Sequence, residues 1–159
     1  MNRFLSAILA IVFFLVSGCD SPAPLVPSGA VVKVGLIGPR QGSDLSRGKD
    51  TLEGVLAAQA ILPLLNNGNR VEVIAGDSGD DPAATQRAMQ KLVEDDGVVM
   101  LLLALGSERL LQVSQFTESL QTPALALIAT HPDVVSGSAY ISQLCFDDDT
   151  QGTVAAIFV

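Results

Sequence analysis

The chain has 159 residues with 9 basic and 17 acidic side chains, a formal charge of −8, a pI near 4.3 and a mean hydropathy of +0.43. An acidic surface repels phosphate backbones, and no Lys/Arg cluster with interleaved aromatics occurs, which argues against nucleic acid as a partner. With only Cys19, Cys145 and one histidine, His131, the chain has neither a disulfide framework nor the ligands of a usual zinc site, and no cofactor is expected.

Residues 1–18 have the layout of an export signal: one basic side chain at Arg3, an unbroken apolar run over 4–16, then the small residues Ser17 and Gly18. The run is too short for a permanent span, which needs about 20 apolar residues. Val16-Ser17-Gly18-Cys19 resembles the bacterial lipobox, so Cys19 is the expected site of lipidation. The chain would then be held on the outer side of a membrane, in the cell envelope. Residues 19–30, with three prolines among small residues, read as an extended tether.

From residue 31 onward, strand and helix signals alternate. The β-branched run 31–37 is ended by Gly38-Pro39, and 45–62 has helical apolar spacing before Pro63 and the turn Asn66-Asn67-Gly68. A second strand is expected over 71–75. In the helix over 82–94, Asp81 is placed to cap and Pro82 stands at the first helical position. The apolar run 98–105 predicts a third strand, and Gly106-Ser107-Glu108 opens a third helix that ends before Thr122-Pro123. Residues 124–129 and 139–144 predict two more strands, and Asp147-Asp148-Asp149 reads as a solvated face or a helix start. This alternation defines an α/β, doubly wound, mostly parallel sheet covered on both faces, as one domain over 31–159. Ligands of such sheets sit beyond the strands' carboxyl ends, which selects the loops 38–48, 106–109 and 130–134.

Catalytic and nucleotide-binding readings of these loops fail. Gly42 to Lys49 has one residue too many for a P-loop, and Asp50 stands where a magnesium-binding hydroxyl is needed. Ala104-Leu105-Gly106-Ser107-Glu108 is not a nucleophile elbow, so His131 has no nucleophile to activate and reads as a loop residue. The loop glycines suit either a backbone approached by a ligand or simple turns. Asp77, Asp80 and Asp81 lack the alternation of a calcium loop, and Cys145 reads as a small buried hydrophobe. Ser107 stands where a strand ends and a helix begins, a place that favours a carboxylate. Helix capping is an equally good account of it.

Taken in order, the segments Val32-Lys33-Val34-Gly35-Leu36-Ile37-Gly38-Pro39, Glu53-Gly54, Asn66-Asn67-Gly68, Asp80-Asp81-Pro82, Pro123-Ala124-Leu125, Ala129-Thr130-His131-Pro132 and Gln151-Gly152 resemble the first lobe of type I periplasmic solute-binding proteins. This group contains the leucine/isoleucine/valine-binding receptors of ABC importers. The resemblance implies a non-enzymatic receptor for an amino acid or similar small polar solute, with an ABC permease as partner. It also implies that the loop of Gly106 and Ser107, backbone groups of Ile128 and the Thr130 hydroxyl hold the ligand's carboxylate and ammonium. Arg47 stands near where amino-acid-binding members often carry an aromatic residue, a departure that suits a more polar or anionic ligand. Family members have a second lobe that closes over the ligand, whereas this chain ends within the helix after Gly152. The expectation is a truncated product with an uncovered apolar sheet edge that binds weakly or not at all unless a partner supplies the missing lobe. The alternative expectation is an envelope lipoprotein using the same lobe to dock or regulate a protein.

Overall fold

The computed structural model describes residues 29–158; the expected export signal, Cys19 and most of the expected tether lie outside them. Five strands, β1 (Val31–Gly38), β2 (Arg70–Asp77), β3 (Leu101–Leu103), β4 (Ala124–Ala126) and β5 (Ile141–Gln143), form one sheet in the order β2-β1-β3-β4-β5. Every pairing is parallel. Helices α1 (Leu45–Ile61), α2 (Pro82–Glu94), α3 (Ser107–Leu120) and α4 (Asp148–Ile157) follow β1, β2, β3 and β5, and a short 3-10 turn (Pro132–Val135) follows β4. Among the described residues, no helix is long and apolar enough to cross a membrane.

Two faces of the sheet differ in burial. Register places Gly35, Ile37, Leu101, Leu103, Ala124, Ala126 and Ile141 on one face, and all are buried. Met89 and Leu92 of α2 and Leu110 and Val113 of α3 complete this core. Burying each large aliphatic side chain contributes roughly 1.5–3 kcal/mol, which makes this face the main source of stability. The opposite face carries Val34, Leu36, Leu102, Leu125 and Ser142, of which only Leu36 is buried. Helix α1 covers it over β1 and β2 but contains no buried residue, leaving a cavity of about 230 Å³ lined by Leu36, Leu45, Leu52 and Ala75. Coverage of both faces is thus partial. Helix α4 buries none of its side chains, and its Val154 and Ile157 are exposed rather than seated over Leu102 and Leu125.

Local chemistry explains the boundaries. Asp81 caps α2 by accepting from the Ala84 amide at 2.6 Å, with Pro82 opening the helix. Helix α3 ends at Gln121, which takes the left-handed conformation at φ 48°. The regular ladder of β3 is shorter than the apolar run 98–105, yet the run pairs beyond it: the Val99 amide donates to Lys33 and the Ala104 amide to Ile37. β4 stops at Ala126, and the chain bends at Leu127 and Ile128. Beyond the bend, the Ala129 carbonyl accepts from side chains, Gln143 Nε2 at 2.7 Å and Cys145 Sγ at 2.9 Å. Cys145 is therefore half-buried and hydrogen-bonded, not a simple core hydrophobe.

Asymmetric burial gives a direct test on this chain. Leu103→Ala is expected to cost about 2–5 kcal/mol by leaving a cavity in the covered face. Leu102→Ala, one residue away on the open face, should cost well under half as much in the same urea titration.

Candidate functional site

Sheet winding reverses between β1 and β3, so the loops after those strands diverge and leave a crevice at their carboxyl ends. Three connections form its walls: Gly42, Ser43, Asp44 and Arg47 after β1; Ser78, Gly79 and Asp80 after β2; and Leu105, Gly106 and Arg109 after β3. The volume of this open crevice is about 210 Å³.

Each wall is fixed by its own chemistry. Gly48 lets the first turn of α1 press onto the preceding loop, since a Cβ there would fall only 1.8 Å from the Pro39 carbonyl oxygen. Gly42 turns the chain at φ 75° with nothing near its missing Cβ. Packing and turn geometry thus account for both glycines. Asp77 Oδ1 accepts from the Arg40 amide at 3.2 Å and the Gly79 amide at 3.0 Å, joining the loops after β1 and β2. Arg109 donates to Thr85 Oγ1 at 3.1 Å and to the Asp80 carbonyl at 2.7 Å, joining α3 to the β2 loop. Sequence reasoning missed both roles. Asp77 carried a signal in the Asp-x-Gly spacing of a side-chain turn; Arg109 carried none, because its partners are 24 and 29 residues away.

Ser107 does not cap its helix. Gly106 is the N-cap of α3, and no side chain caps that end. Instead Ser107 Oγ accepts from the Thr130 amide at 3.1 Å and the His131 amide at 3.2 Å. Two incoming protons occupy both lone pairs of the hydroxyl, so its own proton is directed away from this tie. The Thr130 loop is held from the other side as well, because the Asp148 amide donates to the Thr130 carbonyl at 2.8 Å. Asp147 caps that helix, and hydrogen bonds from the Thr150 amide and then its side chain hold the Asp147 carboxyl below its ordinary pKa. His131 is a loop residue whose Nδ1 accepts from the Asp133 amide at 3.2 Å.

The structure therefore brings Ser107, Thr130 and His131 together by direct hydrogen bonds and joins Gly106 and Arg47 separately at the crevice. Arg47 Nη1 lies 3.8 Å from where a Gly106 Cβ would stand and 3.8 Å from Asp44 Oδ1. Ile128, half-buried in the bend after β4, makes no direct hydrogen bond to Ser107, Gly106 or Arg47. Among the described residues, no group of three or more His, Cys, Asp or Glu could hold a metal ion.

The fold is a wholly parallel lobe with a crevice at its switch point. Residues 31–159 match the family model of periplasmic binding proteins, and the chain belongs to that family, whose members bind solutes rather than transform them. A leucine binding protein from Thermotoga maritima superimposes with a TM-score of 0.70 at 25% identity, covering 80% of this chain and 36% of that one. An ABC-transporter solute binding protein from Rhodopseudomonas palustris, solved with p-hydroxybenzoic acid, gives 0.67 at 23% identity, covering 80% and 36%. A branched-chain amino acid transporter substrate binding protein from Streptococcus pneumoniae, solved with isoleucine, gives 0.66 at 18%, covering 74% and 34%. The last two establish likeness of fold alone. The chain spans about a third of the length of these solved structures. Comparison with curated proteins gave no match.

Ser107→Ala is expected to free the Thr130 and His131 amides from their shared acceptor and to cost about 1 kcal/mol. Amide hydrogen exchange read at those two residues should accelerate, while the α2 amides stay unchanged; equal protection in both variants would remove the tie.

Proposed function

We propose that the described residues form one wall of the binding cleft of an ABC-importer solute receptor, and that the solute is an amino acid or a similar small polar acid. The observation that carries this reading is the Ser107 hydroxyl, which already accepts two amides and can only donate to a further group. A carboxylate is the acceptor best suited to it, since the uncapped amide end of α3 adds favourable potential at the same place. The amide of Thr130 is held to Ser107, which leaves the Thr130 hydroxyl, rather than its N–H, to meet a solute. Backbone groups of Ile128 and the guanidinium of Arg47 complete the set, with Gly106 allowing close approach. Isoleucine and p-hydroxybenzoic acid, found in two of the structural relatives, both carry a carboxylate.

In this reading residues 1–18 direct export, Cys19 carries the lipid that anchors the chain in the cell envelope, and residues 19–30 space the lobe from the membrane. The receptor presents its solute to a permease on the periplasmic side. Two measurements test it. With the full-length protein, one carboxylate-bearing solute from an amino-acid panel should raise the melting temperature, corresponding to about 2.7 kcal/mol at a hundredfold excess over Kd. Flat melting curves for every solute, alongside capture of one specific envelope protein, would instead favour a docking lipoprotein. Separately, Cys19→Ala should abolish metabolic labelling by palmitate and release the protein from the membrane fraction; unchanged partition would remove the anchor from the proposal.

A further inference from the structure

Two guanidinium groups line the crevice, and they are not equivalent. Arg109 is committed to Thr85 and the Asp80 carbonyl, at 3.1 and 2.7 Å. Among the described residues, the Arg47 guanidinium has only Asp44, at 3.8 Å, beyond hydrogen-bond reach, and its side chain is 52% exposed. An ion pair this open and this distant contributes little, so the guanidinium remains available to another acid. Its Nη1 lies beside Gly106, 3.8 Å from where a Cβ of that residue would stand, at the start of α3. Gly106 directly precedes Ser107 in the chain, so a solute carboxylate at Ser107 would have this guanidinium as a neighbouring cation. Asp44 and Asp80, on the same walls, give the crevice negative charge that a ligand ammonium can meet.

We infer that Arg47 determines the substrate class by taking a second acidic group, so that the solute is an acidic amino acid or a small dicarboxylic acid rather than a neutral branched one. A planar guanidinium suits this task because it can meet a carboxylate with two parallel hydrogen bonds, which an ammonium cannot. The inference rests on the receptor reading above and adds to it the identity of the side-chain contact.

Calorimetric titration of the full-length protein with L-glutamate, succinate and L-leucine tests it, using Arg47→Leu, Arg47→Lys and Ser107→Ala, each checked by circular dichroism. Wild type should bind glutamate or succinate more tightly than leucine. Arg47→Leu should weaken the acidic solute by about 10- to 100-fold, the range for a lost hydrogen bond to a charged group, and so erase the preference. Arg47→Lys should recover only part of it, and Ser107→Ala should weaken acidic and neutral solutes alike. Wild type that binds leucine as well as glutamate, or folded Arg47 variants with an unchanged preference, would overturn the role of Arg47 and leave the receptor reading standing. Failure of wild type to bind any solute overturns both.

Discussion

Parallel pairing at every step of the sheet brings the carboxyl ends of its strands to one edge, and a single apolar contact holds them there. Ile37, Leu101 and Leu103 are fully buried beneath Met89, Leu110 and Val113, so the β1 and β3 tips cannot shift independently of α2 and α3. Close packing of this kind has few voids and transmits position rigidly. The loops that build the crevice leave directly from these strands, and their geometry inherits that rigidity.

On this base, polar ties define the crevice. Ser107, Asp77 and Arg109 each join two segments far apart in sequence, Ser107 and Asp77 through backbone amides of the partner and Arg109 through one backbone carbonyl and one side-chain hydroxyl. Backbone acceptors and donors are insensitive to which side chain the loop carries. The loops can therefore present different side chains to a solute without loss of the frame, and Arg47 is one such presented group.

Much of the fold was legible in the sequence because its signals are local. The Asp81-Pro82 helix start, the Asn66-Asn67-Gly68 turn and the β-branched runs act within a few residues, and the structure places the elements where those runs fall. The apolar runs 98–105 and 124–129 overstate the ladders of β3 and β4, since hydrophobicity reports burial while the ladder depends on whether a neighbour offers backbone partners. Covering of both faces was the natural reading of Leu102 and Leu125, yet those side chains are only half-buried. In the site, proximity of Ser107 to Thr130 follows from topology, because both lie at the carboxyl ends of adjacent strands. The sense of their hydrogen bond does not. A serine at a helix start reads as a cap, and only the folded arrangement turns its oxygen toward the neighbouring loop.

Arg109 has one further consequence. By clamping the Asp80 carbonyl and the buried Thr85 hydroxyl, it makes the rim of the crevice arrive already ordered. Free energy spent on immobilising flexible segments is then met once, during folding, and not again at each encounter with a small molecule. A small molecule that meets such a rim finds its backbone groups already in place.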